Sequence, residues 1–562
     1  MKSQSILALS LLSCVNAIPI GMSDVTENPF AGALFGNESL SRPLIHLTPD
    51  YGWMNDPNGL WYDAKDDIWH AYYQYNPADR FWDLPLYWGH AVSKDLLTWD
   101  NVGLAIYPLA NNSGAYSGSM VIDYNNTSGF FDDSIDPAQR CIAVWTYNTP
   151  DSETQYISYS LDGGYTFVDY AENPVLEMNS TQFRDPKVFW YEPTQKWIMT
   201  VAKAQEYAIG IYSSPDMKHW THESDFAREG YIGYQYECPG IVPFPVDALD
   251  IVETGLPADK KEVWALFLAV NPGSPQGGSS YQYFMGDFNG THFNPYWHNT
   301  NLMDFGRDYY AQQTYFNTPS GDVYAMGWGS NWQYCAYVPT DPWRSSETLV
   351  RKYTAMTYQS NPQTKIIQLR VEPVIDYNAL ELDLASAQGS NIIPKVDDPV
   401  SFDLSKGSNG LVEFNMTWSV NTTAYNNSNF ADLSVYFKGH QDPTEYFRFG
   451  FVANVPSAYI VRDATKVNFV HYNPFFSDKV SIDLQPVQGV NETVNYYNVR
   501  GIIDRDIAEL FFNDGAQAFT NTFFLSGGNY IGSIDIEVTR DDVFQVVDFS
   551  ARQMYPKNAT IS

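Results

Sequence analysis

Between about residues 43 and 375, short apolar runs alternate with breaks rich in Gly, Pro, Asn and Asp. The runs at 69–75 (WHAYYQY), 142–146 (IAVWT), 196–201 (KWIMTV) and 263–268 (VWALFL) are each four to eight residues long. They are rich in β-branched and aromatic side chains, and stretches with helical period are scarce. This pattern predicts an all-β chain. A weak repeat runs through it. Ser93, Asp95 and Trp99 recur as Ser160, Asp162 and Phe167, and again as Ser214, Asp216 and Trp220, at spacings of 67 and 54 residues. Each set follows a strand-like run and reads as a hairpin turn capped by Ser and Asp that tucks an aromatic between sheets. Periods of this size, at about four strands each, fit propeller blades, five or six of them over 43–375.

The pattern weakens after Val374. Residues 376–400, with the Gly, Ser, Asn and Asp clusters that continue to about 410, read as a linker. Alternating runs then resume at 411–418, 431–437, 446–451, 459–462 and 507–512, the last closed by the hairpin signal Asn513-Asp514-Gly515. Residues 401–562 therefore read as an antiparallel sandwich. At 562 residues, two domains are the natural expectation.

The beginning of the chain belongs to neither. Lys2, the apolar stretch 6–15 and the small-residue site Val15-Asn16-Ala17 make 1–17 a secretory signal, too short to span a bilayer. No later run of 18 apolar residues exists, so the expected protein is exported and soluble. Sequons at Asn37, Asn111, Asn125, Asn126, Asn179, Asn289, Asn415, Asn421, Asn426, Asn491 and Asn558 agree with export. Adjacent Asn125 and Asn126 are not expected to carry glycan together. With Cys14 lost in the signal, Cys141, Cys238 and Cys335 allow one internal disulfide at most. No Cys/His pair has the spacing of a structural zinc site, and neither metal nor organic cofactor is expected.

A net charge of −33 makes nucleic acid and anionic membrane poor partners. Aromatics at 16% suit both β-cores and sugar stacking, so composition does not separate the two.

Three acidic motifs stand out: Trp53-Met54-Asn55-Asp56-Pro57-Asn58-Gly59, read as a turn held against a pocket; Phe183-Arg184-Asp185-Pro186; and Tyr236-Glu237-Cys238-Pro239-Gly240. Each sets a carboxylate beside a proline and aromatic or cationic neighbours. Taken alone, each reads as a surface turn acid. In a propeller, equivalent strands of successive blades bring their ends to one funnel, where the three can meet. Glycosidic cleavage needs two carboxyl groups in different protonation states. Glu237, between Tyr236, Cys238 and Pro239, reads as the less polar of the set and hence the acid. Asp56, among Asn55, Asn58 and backbone amides, reads as the ionised nucleophile, and Asp185 beside Arg184 as a second ionised group that binds sugar hydroxyls. His90 reads as a structural residue, and Cys238, with no His partner, as part of the surroundings of Glu237.

These motifs, with Tyr87-Trp88-Gly89-His90, Ser117-Gly118-Ser119, Gly327-Trp328, Asn331-Trp332 and Pro342-Trp343-Arg344-Ser345-Ser346, resemble glycoside hydrolase family 32, most closely its yeast-type invertases and inulinases. The resemblance covers nearly the whole mature chain. It implies a five-bladed β-propeller followed by a C-terminal β-sandwich, and a retaining double displacement. Asp56 would form the fructosyl-enzyme, Glu237 would act as acid and then base, and Asp185 would stabilise the transition state. Trp53, Met54, Asn55, Gln74, Trp82, Tyr116, Ser117, Arg184 and Trp328 match positions of the fructose pocket. Substrates would be sucrose and fructo-oligosaccharides, and chains would pair through the sandwich into a dimer or larger assembly. Three places depart from the family pattern: Trp82-Asp83-Leu84-Pro85 has Asp83 for a glycine, Tyr116 replaces a phenylalanine, and Gly327 and Gly329 replace alanines. These affect what lies beyond the fructose ring. The rival readings are an inulinase or fructosyltransferase using the same carboxylates, and a fructan-binding propeller without turnover.

Overall fold

The computed structural model describes residues 38–557 except 362, 383, 427, 478 and 488–492. The expected signal segment 1–17, Cys14 and the sequons at Asn37, Asn491 and Asn558 lie outside the described residues. The chain is nearly all β, as the alternating pattern requires. Among the described residues the one α-helix is the five-residue Asn468–Tyr472, and no helix is long and apolar enough to cross a membrane.

Strands up to Pro373 form five successive antiparallel sheets, each built almost entirely from consecutive strands. Their first strands are Gly52–Asp63, Gly114–Ile122, Phe183–Tyr191, Tyr236–Pro245 and Tyr310–Thr314. Each of these touches the next in order, and the fifth touches the first. The short strand Trp343–Arg344 adds in parallel to Gly52 and Trp53, tying the fifth sheet's connection to the first sheet. In the first three sheets the Ser/Asp repeat is the turn into the last strand. Ser93 Oγ accepts from Leu96 N–H, and Asp95 from Leu97 and Thr98. Ser160 and Asp162 cap Gly164, Tyr165 and Thr166, and Asp216 caps Lys218 and His219. Trp99, Phe167 and Trp220 each pack, half-buried, against an apolar cluster.

Two six-stranded antiparallel sheets follow. Phe414, Trp418 and Phe512 of one and Phe437, Phe449 and Phe451 of the other share a single fully buried cluster. Asn513, Asp514 and Gly515 all have positive φ and join Ile507–Phe512 to Gln517–Thr522, as the hairpin signal predicts. The expected linker needs correction. Ser386–Ile392 is an edge strand paired to Phe544–Gln553. Its burial is mostly low, because one neighbour and one face leave it largely wet, and that low burial is why its sequence shows no apolar rhythm.

Buried ion pairs join the two halves. Arg351 binds Asp304 and Glu509, Glu509 and Asp504 bind His46, and Arg462 binds Asp308. All of these side chains are fully buried. Cys141, Cys238 and Cys335 are buried, and no disulfide forms among the described residues. Asn126 bonds Phe131 through both atoms of its amide, whereas its neighbour Asn125 is exposed.

Candidate active site

All five inner strands carry a register break near their N-terminal ends. In the first it lies between Met54 and Pro57, in the second between Tyr116 and Gly118. Opposite Thr200 and Ala202 it falls at Asp185, and in the last two between Glu237 and Gly240 and between Tyr310 and Gln313. Asp185, Cys238 and Ala311 have positive φ at these bulges. A bulge leaves an extra residue unpaired and re-aims its neighbours. Five equivalent bulges around a ring of strands thus turn five short segments toward one point. The first motif is therefore not a turn: Trp53–Gly59 runs inside a bulged strand. The proline and the Asn-Gly pair that suggested a turn mark its two irregularities. Gly59 has φ +52, and a Cβ there would meet the Tyr72 ring at 2.9 Å and Trp88 at 3.0 Å.

The bulges bring the three acids together. Asn55 Nδ2 donates to Asp56 Oδ1 at 2.9 Å, Ser117 Oγ donates to Asp56 Oδ2 at 2.8 Å, and Trp53 Nε1 fixes Asn55 Oδ1 at 2.7 Å. The Cys238 thiol lies 3.5 Å from Asp56 Oδ2 and 3.6 Å from Asp185 Oδ2, and its backbone N–H donates to Asp185 at 2.9 Å. Arg184 donates from Nε and Nη2 to Glu237 Oε1 at 3.1 and 3.0 Å. Its Nη1 reaches Glu153 at 3.1 Å. Tyr310 OH takes the other oxygen of Glu237 at 2.5 Å.

Burial dominates the electrostatics of the two aspartates. Asp56 is pushed above the usual carboxylate range, first by burial and then by Glu237, with Asn55 and Ser117 pulling the other way. Asp185 is also pushed up, by burial and by the charges of Glu237 and Asp56, against Arg184 and the Cys238 N–H. The guanidinium beside Asp185 in sequence spends its hydrogen bonds on Glu237 and Glu153 instead. Glu237 is thus the acid held by a cation, while Asp56 and Asp185 lie deep among neutral donors. Burial works against the charge on Arg184, but Glu153, Glu237 and Asp185 outweigh it and keep it charged. Four carboxyls around one cation favour retention of protons within the cluster.

The remaining expected residues divide. Trp53, Trp328 and Trp332 form an aromatic wall with ring centroids 4.9–6.0 Å apart, which Tyr310 joins. Trp82, half-buried, meets the edge of Tyr116 at 6.3 Å. Gln74 donates to Ala115 O and steadies the strand that presents Ser117. Met54 is not brought to the cluster: it is fully buried in the apolar core with Leu47, Leu60 and Met326. His90 is buried against His70 and Tyr72, the structural role expected of it. Glu153 and Tyr310 were not picked out from the sequence. Neither lies in a proline or Gly-rich motif, and only the partner each binds marks it.

The departures from the family pattern also have locations. Asp83 is exposed and caps Leu84 N–H. At Gly327 a Cβ would meet the Tyr309 ring at 2.8 Å, and at Gly329 it would meet Ile507 at 2.9 Å. Neighbouring side chains have filled the space of both missing methyl groups.

Family models match both halves of the chain: the glycosyl hydrolases family 32 N-terminal domain over residues 46–368 and the family 32 C-terminal domain over 382–551. The chain belongs to glycosyl hydrolase family 32. Among family-32 relatives, Invertase 2 of Saccharomyces cerevisiae is 52% identical over 92% of this chain and 96% of its own length. An extracellular exo-inulinase of Meyerozyma guilliermondii is 43% identical over 92% and 96%. The β-fructofuranosidase of Schwanniomyces occidentalis, solved with fructosyl-erythritol, superposes with a TM-score of 0.84 at 41% identity, covering 91% of this chain and 97% of that one.

Proposed function

We propose that this chain is a retaining β-fructofuranosidase that hydrolyses the terminal fructoside of sucrose and of related fructo-oligosaccharides. The observation that carries the reading is the convergence of Asp56, Asp185 and Glu237 at bulges of the first, third and fourth inner strands, with Arg184 and the tryptophan wall around them. Asp56 is the nucleophile. Ser117 and Asn55 hold one of its oxygens each, which orients the carboxylate and keeps its charge usable despite burial. Glu237 is the acid that protonates the leaving oxygen and the base that then activates water. Arg184 and Tyr310 fix both of its oxygens beforehand. Asp185 accepts from fructose hydroxyls, and its bond from the Cys238 N–H aims it. Trp53, Trp82, Trp328 and Tyr116 supply faces and edges for the sugar.

In this reading the five sheets are the blades of a five-bladed propeller over about 43–375, and the two six-stranded sheets are a sandwich over about 401–562. The chain is exported, its glycans sit on exposed sequons such as Asn111, Asn179 and Asn289, and copies pair through the sandwich.

The test is incubation of the secreted protein with sucrose at mildly acid pH, with products resolved over time. Equal glucose and fructose support hydrolysis. Glucose in excess, with trisaccharides, favours the fructosyltransferase reading. Unchanged sucrose, with turnover of inulin instead, favours the inulinase. Binding of fructan without release of fructose would overturn the enzymatic reading altogether.

A further inference from the structure

Glu347 is a carboxyl group where none can be solvated. It follows Trp343–Arg344, the short strand that joins the fifth sheet's connection to the first sheet, and it is 0% exposed. Both of its carboxyl oxygens are buried without a hydrogen-bond partner among the described residues. Its backbone is stitched on both sides, its N–H donating to Leu47 O at 2.8 Å while the residue pairs in antiparallel fashion with Trp328. The side chain therefore has no freedom to swing toward water. Leu47 and Val350 beside it belong to the apolar cluster of Met54, Leu60, Tyr73, Tyr315 and Met326 that fills the space between the first and fifth sheets.

The groups that face it do nothing to compensate. From the first strand it feels the charge of Asp56, which is of the same sign. From the second strand it faces Tyr73, whose hydroxyl is committed to Asn101. From the end of the fifth sheet's first strand it faces Tyr315, whose hydroxyl has no partner among the described residues. An ionised carboxylate without partner or cation in such a place is far costlier than a neutral acid. Burial and the Asp56 charge both push its pKa upward.

We propose that Glu347 is a proton-dependent wedge: carried neutral, it lets the first and fifth sheets close behind Asp56 in acid medium, and its ionisation loosens that contact as the medium turns alkaline. The sign follows from linkage. Folding keeps a proton on Glu347 that the unfolded chain releases above the ordinary carboxylate range. Glu347 therefore costs little stability below about pH 4 and progressively more with each pH unit above it. Ionised Glu347 would also set a second negative charge beside Asp56, so the alkaline fall of activity is joined to the same proton. That second part rests on Asp56 being the nucleophile, whereas the stability part does not.

The experiment compares the full secreted chain with Glu347→Gln, which keeps the neutral shape, and Glu347→Met, which suits the apolar neighbours. Thermal midpoints are read at fixed scan rate from about pH 4 to about pH 7, and kcat/KM from about pH 4 to about pH 9. The gap between each variant and the parent should widen by roughly 3–6 °C from the acid to the neutral end. The alkaline limb of kcat/KM should move to higher pH in both variants, with the acid limb unmoved. A thermal gap that stays constant with pH overturns the proposal whatever the enzyme's substrate. A widening thermal gap with an unmoved alkaline limb overturns the link to Asp56 and leaves Proposed function untouched. Should Glu347→Gln fail to fold, Glu347→Met still reads both quantities.

Discussion

Arg184 grips Glu237 by one oxygen only. Nε and Nη2 converge on Oε1 at 3.1 and 3.0 Å, and Tyr310 holds Oε2. The planar fork is the feature that matters, because a lysine offers a point charge and cannot span Glu237 and Glu153 in one plane. Arg184→Lys should therefore lower kcat/KM by about a hundredfold or more while the fold survives, since a charge still meets buried Glu153 and half-buried Glu237. Circular dichroism and sucrose kinetics on the same preparation check this. An Arg184→Lys enzyme of near-parental efficiency would show that the fork has no part in the chemistry.

Tyr310 gives a finer test of the same carboxyl. Its hydroxyl donates to Glu237 from within a buried aromatic wall. Tyr310→Phe removes one hydrogen bond to a charged group and little volume. A bond of this kind is worth about 1.5–3 kcal/mol, so kcat should fall roughly ten- to a hundredfold with KM changed far less. A change confined to KM would make Tyr310 a wall for the sugar and not a support for Glu237.

How far the sequence carries the argument can be judged from these residues. Asp56, Asp185 and Glu237 lie in motifs that prolines and glycines make conspicuous, and the Ser/Asp turns repeat at a readable period. The bulges are not readable, because a register break is a relation between two strands. Hence Trp53–Gly59 looks like a turn and is a strand. The environment of each acid is equally non-local. Asp185 stands beside Arg184 in sequence, yet the guanidinium turns to Glu237 and Glu153, which are 53 and 31 residues away. Tyr310 and Glu153 bear no local mark at all. Ser386–Ile392 escapes notice for the opposite reason: a wet edge strand needs no apolar rhythm.

The cysteines yield a prediction about redox conditions. Cys141, Cys238 and Cys335 are buried and outside any disulfide, and burial pushes the thiols of Cys141 and Cys238 well up. A thiol that is neither exposed nor ionised is a poor nucleophile. The native protein should leave its thiols unmodified by an aromatic disulfide reagent over an hour, and release them together once denatured. Its thermal midpoint should not change with dithiothreitol. Rapid loss of one thiol together with activity would mean that the pocket opens at Cys238.

His46 carries the last prediction, which concerns how the two halves of the chain stay together. Its Nδ1 meets Asp504 Oδ2 at 2.8 Å and its Nε2 meets Glu509 Oε1 at 3.1 Å, all three fully buried. Burial works against a charged ring here. The hydrogen bonds and charges of Asp504 and Glu509 outweigh it and raise the pKa from 6.5 to about 9. The folded state thus binds this proton more tightly than the unfolded chain does. The stabilisation is fully present below about pH 6.5 and is lost as pH rises through about 9. Breaking a buried ionic triad by removing one member typically costs about 3–5 kcal/mol, because the partners are left uncompensated. His46→Gln should therefore unfold at markedly lower denaturant concentration than the parent at pH 6. The difference should shrink steadily toward pH 9, as the parent loses the same proton. Urea midpoints of both proteins across that range provide the check, and a difference independent of pH would mean that His46 is neutral in the folded chain. Glu509 also binds Arg351, on a strand of the fifth sheet. The alkaline loss of the His46 proton and the ionisation of Glu347 therefore weaken the same region, the first from the junction between the halves and the second from behind Asp56.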